Sequence, residues 1–226
     1  MKGSPNIARI GALIGDAARA SMLTALMSGK ALTASELARE ANITVQTASS
    51  HLAKLEQGGL LQLRKQGRHK YFSLANDEVA QVLEALMGLV AGNQPLTHRV
   101  GPSDTALRQA RVCYNHLAGD RGIQLYESLL SRGLLGFKDD SLILTLEGEQ
   151  FATAFGIDIE TLKRGKSALC RECLDWSERR SHLAGSLGRA FFTQFETLRW
   201  IKRMDDSRVI KFTRTGQTAF DRLFVV

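Results

Sequence analysis

A mainly α-helical chain with small β wings, divided into two domains, is what the sequence predicts, and three observations carry that expectation. The 226 residues, 44% of them apolar, are too many for one small domain and enough for two cores. Apolar residues in the first 92 positions recur at helical spacing, interrupted by one short alternating stretch that turns at Gln66-Gly67. The segment Gly92-Asn-Gln-Pro-Leu-Thr-His-Arg-Val-Gly-Pro-Ser103 then holds two of the three prolines and breaks the helical pattern. The expected division is residues 1–92, a linker over 93–104, and residues 105–226.

Taken in order, Thr33-Ala-Ser-Glu36 has the spacing of a capping box, opening a helix that buries Leu37, Ala38 and Ala41. After Asn42-Ile43, Thr44 caps a second helix that ends at Gly58-Gly59. At 100° per residue, Val45, Ala48, Leu52 and Leu55 gather on one side of it. Gln46, Thr47, Ser50, Ala53 and Lys54 fall on the other side, flanked by Ser49 and His51. The outward side chains are short and form hydrogen bonds, which suits contact with base edges in a major groove. Two helices in this arrangement fit a helix-turn-helix. The strands that follow, Leu61 to Arg64 and Tyr71 to Leu74, make a hairpin with Arg64, Lys65, Arg68, His69 and Lys70 near its turn. Such a wing can straddle phosphates. From Thr44 to Ala75 there are five Lys or Arg residues against one acid, Glu56. A charge run can also be an ordinary solvated face; its place beside a polar helix favours the nucleic-acid reading.

The order Ser49-Ser-His-Leu-Ala-Lys-Leu-Glu-Gln-Gly-Gly-Leu60, then Lys65-Gln-Gly-Arg-His-Lys-Tyr-Phe-Ser-Leu74, resembles the ArsR/SmtB family of winged helix-turn-helix repressors. The opening Ile14-Gly-Asp-Ala-Ala-Arg-Ala-Ser-Met-Leu-Thr-Ala-Leu26 is similar to that family's first helices, and the resemblance spans about residues 5 to 92. It implies a homodimer on a palindromic operator that leaves the DNA when an effector binds. It places Gln46, Thr47, Ser49, Ser50 and His51 on the reading helix and Arg68 to Tyr71 on the wing. His51 also fits an ordinary bracing role at the flank of the helix. Neither of the family's usual metal sites is present. Ala34-Ser-Glu-Leu-Ala38 has no thiol, and the helix from Asn76 to Val90 has no histidine.

Net charge is +7 with a pI near 9.6, favouring a polyanionic partner. Both halves share the excess, with ten basic and seven acidic residues up to Gly92 and twenty against sixteen beyond it. No apolar run approaches the ~20 residues of a membrane span, and no basic-apolar-small leader opens the chain, so a cytoplasmic address is expected. Val79, Val82, Leu83, Leu86, Met87 and Val90 form a helical stripe. With Ile7, Ile10, Leu13 and Ile14 it suits either an isologous dimer interface or intrachain core. A dimer is favoured because two reading helices roughly 34 Å apart match successive major grooves.

The second half carries an internal echo. Asp140 to Phe151 and Asp206 to Phe220 each run strand, Thr-x-x-Gly, helix with Phe. Each follows an amphipathic helix, Gly122 to Arg132 and Leu187 to Arg199, which suggests a duplicated winged-helix-like unit; chance similarity is the alternative. All three cysteines lie here: Cys113 and the pair Cys170-Arg-Glu-Cys173. On a helix Cys170 and Cys173 would share a face. With Cys113 and a histidine, His116 or His182, they would complete a four-ligand site for a thiophilic metal or metalloid effector. Thiol redox sensing and inert buried thiols are the alternatives. Trp176, Trp200, Tyr114, Phe191, Phe192 and Phe195 suit a small-molecule pocket or plain core. No nucleophile elbow, phosphate loop or zinc-hydrolase motif is present, which argues against an enzyme with an accessory winged helix.

Overall fold

The computed structural model describes residues 7–67, 69–92, 104–175, 177–204 and 207–226, and it divides into two compact units, Met1–Leu83 and Glu84–Val226. The expected linker over 93–104 lies almost wholly outside the described residues, as do Arg68 and Trp176.

The first unit runs α1 (Ile7–Ile14), α2 (Ala17–Leu26), β1 (Leu32–Thr33), α3 (Ala34–Glu40), α4 (Val45–Gln57), β2 (Leu61–Gln66) and β3 (His69–Leu74), and then enters α5 (Asp77–Gly92). The helix starts follow from side-chain caps. Asp16 accepts from the Arg19 N–H, Thr44 accepts from the Thr47 N–H, and Thr33 with Glu36 forms the reciprocal capping box. Met22, Leu23, Leu26, Leu37, Leu52 and Leu55 are buried together and hold α2, α3 and α4 around one core. Strands β2 and β3 pair antiparallel with Leu61 opposite Leu74 and Lys65 opposite Lys70, and β1 adds to β3 at Phe72. This is a winged helix-turn-helix. Val45, expected on the buried side of α4, is 48% exposed, because at the first position of the helix it projects past the core that Ala48 begins.

The second unit repeats one order of elements twice. After α6 (Thr105–Gln109), the first repeat is β4 (Arg111–Cys113), β5 (His116–Ala118), α7 (Asp120–Ser131), β6 (Leu135–Lys138), β7 (Ser141–Leu144) and α8 (Leu146–Ala154). Helix α9 (Ile159–Arg164) leads to the second: β8 (Arg171–Leu174), β9 (Ser181–Ala184), α10 (Gly185–Thr197), β10 (Ile201–Arg203), β11 (Ile210–Phe212) and α11 (Arg214–Leu223). Each repeat is hairpin, helix, hairpin, helix, and the four hairpins are separate two-stranded sheets. Corresponding turns are built alike. Thr145 and Thr213 cap α8 and α11 by accepting from the N–H of Gly148 and Gly216. Gly122 and Gly188 lie against the carbonyls of Leu117 and Leu183, where a Cβ would come within 2.4 Å of the oxygen in both repeats. The same Cβ positions lie 3.5 Å from the Cβ of His182 and of His116 respectively, so each repeat's helix packs on the other's histidine. Phe191, Phe192, Phe195, Phe220 and Phe224 are buried in the unit's core, and Trp200 stacks on Phe195 at 5.7 Å between ring centroids. These aromatics therefore pack as core.

Candidate functional site

In the first unit the polar face of α4 is presented to solvent. Thr44, Gln46, Thr47, Ser49, Ser50 and Lys54 are exposed, as are Arg64, Lys65, His69 and Lys70 on the wing, with Tyr71 half-buried. Some of these groups are already engaged. The hydroxyls of Thr44 and Thr47 are 2.9 Å apart, and Ser49 donates to the Val45 carbonyl. His51 is half-buried, and its Nδ1 accepts from Arg19 at 3.2 Å. Arg19 also donates to the carbonyls of Leu13 and Ala12, closing the C-terminal end of α1. The Arg19–His51 bond joins α4 to the α1–α2 corner.

Apolar side chains are exposed on α1 and α5 as well. Ile7 is 84% exposed and no residue of α1 is buried. On α5, Val82 is 49% exposed and Leu86 and Leu89 are exposed, whereas Leu83 is buried; the side chain of Val90 lies outside the described residues.

The second unit gathers four buried side chains at one point. The ligand atoms of Cys113, His116, Cys173 and His182 all lie within 4.8 Å of one another. They come as two cross-strand pairs. Cys113 is directly opposite His116 in the first hairpin, and Cys173 directly opposite His182 in the third. The two Nε2 atoms are 3.0 Å apart. Nδ1 of His116 is 3.2 Å from Asn115 Oδ1, and Nδ1 of His182 is 3.7 Å from Asp175 Oδ2.

Asp175 anchors the surroundings. Its carboxylate accepts from Arg111 at 2.7 Å, the Gly119 N–H at 2.7 Å and the Ser177 hydroxyl at 2.7 Å, with Arg111 and Asp175 fully buried. Burial alone would raise the Asp175 pKa, but the charges of Arg111 and His182 hold it well below the usual carboxylate range. A hydrogen bond from Cys113 lowers the Cys173 thiol, and the same bond with burial raises Cys113. His182 would be lowered by burial, yet Cys173 and Asp175 raise it. Burial raises Glu84, which α5 brings beside the charges of Cys173, Arg111 and Arg208.

Cys170 is not part of the cluster. It precedes β8 rather than lying on a helix, so the helical spacing that would align its thiol with that of Cys173 is absent, and it lies outside the group of ligand atoms. Burial alone pushes its thiol up to about 12. His182, rather than Cys170, is the fourth member. The sequence did hold a signal for this: His116-Leu-Ala-Gly-Asp-Arg-Gly122 and His182-Leu-Ala-Gly-Ser-Leu-Gly188 are the same motif, met twice.

An exposed polar helix followed by a basic wing defines a winged helix-turn-helix regulator. A helix-turn-helix domain family model matches residues 14–64. The chain is 40% identical over 219 residues, 97% of both chains, to the uncharacterized HTH-type transcriptional regulator YdfF of Bacillus subtilis (strain 168), and it belongs to that family of HTH-type transcriptional regulators. It is also 35% identical over 121 residues, about half of each chain, to the HTH-type transcriptional regulator Rv0324 of Mycobacterium tuberculosis. Among solved structures, a homodimeric winged helix-turn-helix DNA-binding domain from Mycobacterium bovis, described as a possible ArsR-family regulator, shares 27% identity. That match covers 41% of this chain and 91% of that one at a TM-score of 0.34. Both of these relatives, YdfF and Rv0324, are HTH-type transcriptional regulators. Among the described residues no helix is long and apolar enough to cross a membrane.

Proposed function

We propose that the protein is a cytoplasmic, homodimeric, sequence-specific repressor of the ArsR/SmtB type whose operator affinity is set through its second unit by a thiophilic metal ion. The observation that carries the DNA-binding part is the exposed face of α4, with Gln46, Thr47, Ser50 and Lys54 beside a wing bearing Arg64, Lys65 and Lys70. Short amide and hydroxyl side chains discriminate base edges, while the wing cations meet phosphates of any sequence. Exposed apolar residues on α1 and α5, Ile7 and Val82 among them, supply the self-complementary surface that a two-fold dimer needs. The metal part rests on the buried cysteine–histidine cluster, and release of the operator on loading follows the behaviour that the family resemblance implies.

The test compares wild type with Gln46→Ala and Ser50→Ala on the upstream DNA of the protein's own gene and on random DNA. Each substitution is expected to weaken specific binding by roughly 1–3 kcal/mol and leave random DNA almost unchanged. Equal loss on both would place base reading elsewhere.

A further inference from the structure

We propose that Cys113, His116, Cys173 and His182 form one closed tetrahedral site for a zinc-class divalent cation, which clamps the two repeats of the second unit together. This deepens the metal part of the functional reading and rests on it, naming the ligands and the ion. The donor set is two sulfurs and two imidazole nitrogens, which suits tetrahedral zinc and disfavours magnesium or calcium, both oxygen-seeking.

The geometry has the right scale. Zinc–sulfur bonds of about 2.3 Å and zinc–nitrogen bonds of about 2.0–2.1 Å put tetrahedral ligand atoms roughly 3.3–3.8 Å apart. Here all four ligand atoms fall within 4.8 Å, and the two Nε2 atoms are 3.0 Å apart. The outer partners agree. Nδ1 of His116 is 3.2 Å from the side-chain amide oxygen of Asn115, and Nδ1 of His182 lies 3.7 Å from the Asp175 carboxylate, beyond hydrogen-bond distance but next to an acceptor. A proton on each Nδ1 leaves both Nε2 lone pairs converging on one point beside the two sulfurs, as neutral histidine ligands require.

Charge balances as well. Two thiolates neutralise a divalent ion, which matters because all four residues are buried. Each repeat supplies one cysteine and one histidine from directly opposed strand positions, so neither repeat holds the ion alone. Four protein ligands leave no open coordination position, which marks a site that holds structure rather than one that turns over substrate.

The full-length chain tests this. Chelator-stripped protein is expected to take up one zinc per chain by elemental analysis. After chelator stripping, cobalt(II) should give a thiolate-to-metal charge-transfer band and the intense visible bands of tetrahedral coordination, reversed by one equivalent of zinc. Cys113→Ser and His182→Gln should lose stoichiometric zinc, whereas Cys170→Ser keeps it. Because a ligand variant can fail to fold, the cobalt spectrum of wild type decides. No charge-transfer band, or an octahedral spectrum, overturns the site, and so does a signal lost with Cys170→Ser. Operator affinity is measured on the same samples. Stoichiometric zinc with DNA affinity unchanged on stripping upholds the clamp and removes metal control of DNA binding. No zinc binding with intact operator binding overturns the clamp and leaves the DNA-reading surface standing.

Discussion

The two units handle polar side chains in opposite ways. On α4 and the wing they face water, and the fold of the first unit depends on Met22, Leu23, Leu52 and Leu55 beneath them. In the second unit a set of polar groups is enclosed beside the apolar core: Arg111, Asp175, His116 and His182 are all buried. Exposed groups can be changed with little effect on folding, since surface substitutions usually move stability by less than about 0.5 kcal/mol. Buried ones carry desolvation, and each needs its partner. Binding and folding should therefore separate by unit: mutations on α4 alter what the protein binds, and mutations around Asp175 alter whether the second unit holds together.

The strongest way to break that contrast is Asp175→Ala, which leaves the Arg111 guanidinium buried without its carboxylate and frees the Gly119 N–H. We expect a loss of about 3–5 kcal/mol in the second unit, read by denaturant unfolding followed through Trp200. An unchanged midpoint would mean that this network contributes nothing to the fold. Next comes Gly188→Ala, whose Cβ would meet the Leu183 carbonyl at 2.4 Å. Overpacking of this kind costs typically 1–3 kcal/mol, and Gly122→Ala should match it, because the two repeats share the contact. A large inequality between the two would show that the repeats are not equivalent. On the exposed side, Lys70→Ala should weaken all DNA sequences alike and reduce the salt slope by about 1, with thermal stability unmoved. The smallest effect belongs to Cys170→Ser. Its thiol is pushed up to about 12 and lies outside the cluster, so alkylation near neutral pH should be slow at this position. Rapid labelling of Cys170 would contradict that placement.

The first unit was largely legible because each of its signals is local. Thr33 and Thr44 mark helix starts within three residues of the groups they cap, and α4 shows its two faces through spacing alone. Val45 escaped this reading, since periodicity assigns a face but not where along the helix the core begins. The cluster in the second unit was only partly legible. The sequence offers Cys113, Cys170 and Cys173 with one histidine, His116 or His182, whereas both histidines belong to the cluster. Only a helix would align Cys170 with Cys173, and β8 begins at the residue after Cys170. Pairing Cys173 with His182 required the hairpin register across residues 174–181, which depends on the fold around Asp175. The repeated His-Leu-Ala-Gly motif does lie in the sequence, but its meaning is a contact between repeats and emerges only when both copies are placed in space.

The measurement that reaches the central claim most directly is the affinity of reduced, metal-stripped full-length protein for its own upstream DNA, repeated after one equivalent of zinc and, separately, of cadmium. The account predicts that loading weakens operator binding by at least roughly tenfold, about 1.4 kcal/mol of coupling, and that Cys113→Ser/Cys173→Ser protein no longer responds. Tight operator binding that is identical with and without metal, in wild type and variant alike, would contradict it.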